Sequence, residues 1–341
     1  MRKEVLLAIF AGIVLGLILA FGVWRANVAL RSKDTAQEET EEEITQELAF
    51  GLTIASPEDL DLLVDSPVTF SGMTKPLSWV GLSGENDDLL VQAQNDGSFK
   101  TEIELIEGVN EITITAFDSD GTPNSKTVSL VYSTEFAKQV NLLSPSPSIT
   151  SASNTATQEV REKVQEKVDL ARQSPKFYMG LITDKLEASL EIKDQLSEIK
   201  QVSVIPADVT FVKIAKTNQE VKFTDVAIGD FIIAMGFRNG NGVLEAKRIL
   251  IDNNFKTNRR DILLGTASNI KKAAFTFTNQ GDAQSFSIKD SDELTTILLN
   301  NEGQNEVTFA DIADGNQVVL FGTKGDSSFN ARTVYLINKF D

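Results

Sequence analysis

Residues 220–236 read EVKFTDVAIGDFIIAMG, and residues 306–322 read EVTFADIADGNQVVLFG. Seven of the seventeen positions are identical: Glu, Val, Phe, Asp, Ala, Gly and Gly. The likeness extends in both directions. Ala246-Lys247-Arg248-Ile249 matches Ala331-Arg332-Thr333-Val334 after a one-residue gap, and Gly180-Leu181-Ile182-Thr183 matches Gly265-Thr266-Ala267-Ser268. The period, about 85 residues, is too long for a solenoid unit and fits a small domain. Each copy reads as β. A tight turn at Gly229 or Gly315 feeds an apolar strand, Phe231 to Met235 or Val318 to Phe321. Gly236 or Gly322 then marks a bend or bulge. Asn239-Gly240-Asn241-Gly242 and Lys324-Gly325-Asp326 are the next hairpin turns. Five or six strands per copy suggest a small antiparallel barrel or curled sheet, at 175–252 and again at 261–339. Phe275 and Phe277 alternate in one strand, so they share a face, most simply the core one.

Upstream, residues 50–133 alternate short β-rich runs with turn signals. Ser78-Trp79-Val80-Gly81-Leu82 runs to Gly84, and Leu89-Leu90-Val91 leads to the turn Asn95-Asp96-Gly97. Phe99, Thr101, Ile103 and Leu105 alternate with charged residues, giving a strand with one wet face. Ile112, Ile114 and Ala116 alternate with polar neighbours in the same way. Seven or so strands with regular turns argue a β-sandwich. Trp79 falls in its third strand, where a core role is expected. Asp118-Ser119-Asp120-Gly121 resembles half of a calcium loop but lacks the glutamate that would complete it, so it reads as a turn.

These residues also carry family resemblances. Ser56-Pro57, Phe70-Ser71-Gly72, Asn95 through Phe99, Leu105 through Asn110, and Ala116-Phe117-Asp118 make residues 50–133 similar to bacterial Ig-like modules of the type named after glucodextranase. That resemblance implies a spacer or binding module without chemistry of its own. Asp225-Val226-Ala227-Ile228-Gly229-Asp230, with Ala246-Lys247-Arg248-Ile249, resembles a bacterial family of small β-barrel domains of unknown function, found as tandem repeats in exported or anchored proteins. The second copy departs from the pattern by placing Asn316 where the first has Asp230. This likeness implies architecture and location only.

At the other end, residues 5–24, which open on Val5 and close on Trp24, contain no charged side chain. A helix of that length spans roughly 30 Å, the thickness of the hydrocarbon core. The expectation is a single-pass signal-anchor within 1–32, in contact with membrane lipid, N-terminus inside and the bulk of the chain extracellular or periplasmic. A cleaved signal peptide ending near Ala20-Phe21-Gly22 is the rival, and an inverted anchor would leave the acidic part in the cytoplasm. Ala8, Gly12, Gly16 and Ala20 form a small-residue stripe suited to a homodimer. Residues 33–49 are an acidic stalk. Residues 134–156 read as a Ser/Pro linker, and 157–174 as a short amphipathic helix with Val160, Val164, Val168 and Ala171 on one face.

Composition narrows the function. The 341 residues carry a net charge of −17 and include no His and no Cys. Such a chain is repelled by nucleic acid, so none is expected as a partner. Imidazole and thiolate metal sites, disulfides and the Ser-His-Asp and Cys-His systems are absent. No catalytic, cofactor-binding or metal-binding residue is therefore assigned, and no cofactor is expected. The fold class is mainly β: transmembrane helix, Ig-like sandwich, linker helix and two tandem small antiparallel barrels. The expected function is that of a non-enzymatic, membrane-anchored surface or envelope protein with a structural, adhesion or binding role. A cell-wall glycan-binding module set is the alternative; an envelope polysaccharide or protein would be the partner. A glycosidase working through paired carboxylates is a third reading.

Overall fold

A computed structural model describes residues 51–143, 174–300 and 303–337, which belong to one unit, Phe50–Asp341. The chain begins with β1 (Thr53–Ser56), β2 (Leu62–Leu63), β3 (Val68–Met73), β4 (Trp79–Ser83), β5 (Asp88–Gln92), β6 (Ser98–Ile103), β7 (Gly108–Phe117) and β8 (Pro123–Tyr132). Strands β1-β3-β6 form one sheet and β2-β8-β7-β4-β5 a second. Alternation sends Phe70, Phe99 and Ile103 from the first sheet and Val80, Leu82, Ile112, Ile114 and Leu130 from the second into a shared core. The other face of the five-stranded sheet is left to pack on the C-terminal repeats.

Helix α1 (Thr134–Leu143) comes next. Ser133 starts it: the Phe136 N–H donates to Ser133 Oγ at 3.2 Å. The composition of this interval, dominated by Ser144-Pro145-Ser146-Pro147-Ser148, predicts linker throughout; the apolar anchor Phe136, only 1% exposed, makes the helix worthwhile.

Then two sheets of corresponding strand order follow. The first holds β9 (Lys176–Leu186), β10 (Ser189–Lys193), β11 (Ile199–Ser203), β12 (Thr210–Lys213), β13 (Gln219–Val221), β14 (Phe231–Arg238) and β15 (Leu244–Ile251) in the order β11-β10-β9-β14-β15-β12-β13. The second holds β16 (Asp261–Lys271), β17 (Ala274–Asn279), β18 (Ser285–Lys289), β19 (Thr295–Asn300), β20 (Gly303–Val307), β21 (Gln317–Lys324) and β22 (Phe329–Ile337) in the corresponding order β18-β17-β16-β21-β22-β19-β20. Both β14–β15 and β21–β22 bulge where the shared glycines sit. A Cβ on Gly236 or Gly322 would lie 2.0 Å from the partner strand's carbonyl oxygen, so no larger residue fits.

The expected fold class is corrected on two counts. The repeats are not antiparallel barrels. β12 runs parallel to β15, β19 parallel to β22, and β11 meets β15 through a parallel pair, Val202↔Leu244 and Ser203↔Glu245. The molecule is mainly β, a succession of mixed and antiparallel sheets, and among the described residues its α-helix is the ten-residue α1. The second count concerns the membrane. The expected transmembrane helix from Val5 to Trp24 and the stripe Ala8, Gly12, Gly16, Ala20 lie outside the described residues, as do the acidic stalk and all but the last position of the 157–174 helix. Among the described residues no helix is long and apolar enough to cross a membrane. The signal-anchor, the single-pass location, the lipid partner and the dimer face drawn from that stretch are therefore withdrawn.

Both repeat sheets pack against the five-stranded sheet. The second does so broadly: Leu90, Phe117 and half-buried Trp79 meet Ile262, Leu264, Val319, Phe321, Tyr335 and Ile337. The first meets an edge: Leu62, Val131 and Phe136 join Phe177, Met179, Ile233 and Met235. Backbone hydrogen bonds extend this second seam, with Phe177 N–H donating to Leu60 O at 3.1 Å and Leu62 N–H to Pro175 O at 2.9 Å.

Candidate ligand-binding cleft

The two docking contacts leave part of one sheet face uncovered. In β7, Ile112 and Ile114 point into the core, so Glu111, Thr113 and Thr115 point out. In β8, Val128 and Leu130 point in, and Ser125, Thr127 and Ser129 point out. The register pairs Glu111 with Ser129, Thr113 with Thr127 and Thr115 with Ser125. Thr115 Oγ1 and Ser125 Oγ share a hydrogen bond of 2.8 Å. A ladder of hydroxyls ending in one carboxylate is the result.

This ladder is the floor of a cleft of about 720 Å³. One wall is the first repeat, through Tyr178, Met179 and the β10–β11 hairpin with Asp194, Gln195, Leu196 and Glu198. Another is the connector to the second repeat, Thr257, Asn258 and Arg259. The hairpin is internally tied. Asp194 accepts the Glu198 N–H at 2.8 Å, and Lys200 Nζ lies 2.5 Å from Glu198 and 3.7 Å from Asp194. The hydrogen bond to Glu198 holds the Lys200 ammonium above its ordinary pKa. At the opposite rim, Asp59 accepts the Ser129 N–H at 2.8 Å.

Glu111 differs from these. Its Oε1 accepts from Gln195 Nε2 at 3.4 Å, a long contact. Burial pushes its carboxyl above the usual carboxylate range and outweighs the opposing Gln195 hydrogen bond, with lesser effects from Glu85, upward, and Arg260, downward. Arg260 itself is spent on Glu85, at 2.7 Å. Glu111 is thus a partly desolvated carboxylate facing an open polar space.

The residues singled out from sequence fall elsewhere. Asp118 lies 2.9 Å from Lys75 Nζ, and its Oδ1 accepts the Ser119 N–H at 2.7 Å, so its oxygens hold a turn rather than calcium. Among the described residues, no three carboxylates are grouped to hold a metal ion. Trp79 is corrected: it faces away from the sandwich core and packs in the seam with the second repeat. The repeated phrase is a pair of turn caps. Asp225 and Asp311 accept the N–H groups of Lys222 and Thr308. Asp230 accepts the Ala227 N–H at 2.8 Å, and Asn316 accepts the Ala313 N–H at 2.7 Å through its amide oxygen. The departure at Asn316 therefore keeps the cap hydrogen bond and drops the charge, while Asp230 accepts a further hydrogen bond from Asn253 Nδ2 at 2.9 Å. The cleft itself was not legible as a site, because its residues are scattered from Asp59 to Arg259. The alternation Ser125, Thr127, Ser129 was its one signal, and it reads equally well as an ordinary wet face.

No family model matches the chain, and no curated protein does. Among solved structures, it is similar to a Ca²⁺-stabilised ice-binding adhesin of an Antarctic bacterium, at 11% identity and a TM-score of 0.19 over 85% of this chain and 74% of that one. It is similar as well to a 1.5-MDa bacterial ice-binding adhesin studied for host cell surface retention, at 9% identity and a TM-score of 0.18 over 85% of this chain and 98% of that one. Likeness at this level carries no argument about fold or activity.

Proposed function

We propose that the protein acts by binding, not catalysis, in an adhesion-type role, and that it holds a polar, hydroxyl-rich ligand in the cleft over β7 and β8. One observation carries this reading: the hydroxyl ladder of Thr113, Ser125, Thr127 and Ser129 stays open while the rest of its sheet face is covered by the repeats. Each hydroxyl both donates and accepts, which suits a partner of the same chemistry. The chain has neither His nor Cys, and the cleft's one under-compensated acid is Glu111.

The test is a nuclear magnetic resonance titration of the full-length chain with a panel of neutral and charged oligosaccharides. Shifts confined to 111–129 and 194–200 are expected. Binding whose shifts lie away from the cleft, or no binding across the panel, would refute the reading.

A further inference from the structure

We infer that the ligand of this cleft is an amine-bearing saccharide, its ammonium group set against Glu111. The inference rests on the binding role proposed above and names the ligand class for the same cleft. Four acids line it, Asp59, Glu111, Asp194 and Glu198, against two cations, Lys200 and Arg259. Most of this charge is already used. Lys200 is tied to Glu198 and Asp194, and Asp59 holds a backbone N–H of the floor. Glu111 is left at the end of the hydroxyl ladder with one long amide contact. A carboxylate taken partly out of water, with no cation of its own within bonding distance, is stabilised by a ligand that brings one.

The ladder selects the rest of the ligand. Thr113 and Thr127 face each other across β7 and β8, and Ser129 follows two residues along β8 opposite Glu111, so the hydroxyls sit at spacings suited to neighbouring hydroxyls of a sugar chain. Leu196 stands 82% exposed at the hairpin tip and offers an apolar surface for the C–H face of a ring. Tyr178 is only 5% exposed and packs in the core of the first repeat, so recognition rests on hydrogen bonds and charge and not on aromatic stacking.

The experiment is titration calorimetry of the full-length chain with a glucosamine tetramer and, separately, an N-acetylglucosamine tetramer. The same titrations are run on Glu111→Gln and on Thr127→Trp, which fills the cleft from an exposed floor position; circular dichroism checks that both variants are folded. The expected result is binding of the amine form at least about tenfold tighter than the acetylated form, with Glu111→Gln erasing that preference and Thr127→Trp abolishing binding. Equal binding of both sugars, unaffected by Glu111→Gln but lost in Thr127→Trp, would overturn the ammonium assignment and leave the cleft as a saccharide site. Binding of neither sugar, or binding that survives Thr127→Trp, would overturn the cleft reading and this inference with it.

Discussion

The two repeats share strand order, bulge and turn caps, yet they dock on the same sheet in opposite manners. The second closes its seam. Around Asp88, 1% exposed at its side chain, gather the Arg332 guanidinium, Thr333 Oγ1 at 2.7 Å and Ser83 Oγ at 2.6 Å, while Tyr335 donates to Asp88 O at 2.8 Å. Arg332 also donates to the Glu85 and Gly84 carbonyls at 2.8 and 3.0 Å. Burial works against its charge, and the hydrogen bonds to Asp88 outweigh that, holding the guanidinium above its ordinary pKa. The first repeat closes only an edge, with Lys176 Nζ 2.7 Å from both Glu58 and Asp61, and the cleft opens beside it. One β unit is thus used twice: a fully packed face fixes the arrangement, and a partly packed one leaves room for a ligand.

The largest effect should come from breaking the closed seam. Asp88→Ala strands Arg332, Thr333 and Ser83 together and should cost about 3–5 kcal/mol in chemical unfolding. Phe136→Ala, at the edge seam, should cost about 3 kcal/mol from the cavity it leaves. If it cost more than Asp88→Ala, the ranking of the two seams would be reversed.

Lys176→Met sharpens the edge seam further. Its loss should be about 2 kcal/mol at neutral pH, because Glu58 is largely exposed while Lys176 and Asp61 are mostly buried. The hydrogen bond from Lys176 holds the Glu58 carboxyl below the usual glutamate range. Burial works against the Lys176 charge, and the hydrogen bonds to Asp61 and Glu58 outweigh it, holding the ammonium above the usual lysine range. The stabilisation is therefore fully present at neutral pH. It fades as pH falls through the lowered Glu58 pKa, and again as pH rises through the raised Lys176 pKa. A wild-type minus Lys176→Met difference that does not shrink on acidification would contradict the pairing.

The smallest effect belongs to the open side. Glu111 has a raised pKa in the fold, so its ionised form disfavours folding at neutral pH, and that penalty vanishes once acid protonates it in both states. Glu111→Gln should thus raise the melting temperature slightly at neutral pH and leave it unchanged in acid. A lower melting temperature at neutral pH would mean that Glu111 is already compensated.

Much of the local structure could be read from residues. Gly229 and Gly315 are expected at tight turns, and they adopt φ of 92° and 85°. Gly236 and Gly322 mark bulges, and Phe275 and Phe277 are buried together. Neighbour choice could not be read, because alternation reports which face is buried and not which strand lies alongside. The parallel pairs β12–β15 and β19–β22 escape the sequence for that reason. Trp79 is misplaced from sequence because β4 buries both faces, one in the sandwich and one in the seam. The cleft is hidden because a hydroxyl-bearing strand face looks the same whether it meets bulk water or a wall built from residues 194–200.

The contrast between the closed and open seams can be measured directly, since the chain contains no cysteine. Thr127→Cys places one thiol on the open floor, and Leu90→Cys places one where the second repeat covers the same sheet. Each would be alkylated with iodoacetamide under native conditions. The account predicts rapid modification at 127 and modification slower by at least about 100-fold at 90, since that thiol must wait for the seam to open. Comparable rates at the two positions would show that the second repeat does not cover the sheet, and the distinction between a closed and an open seam would fall.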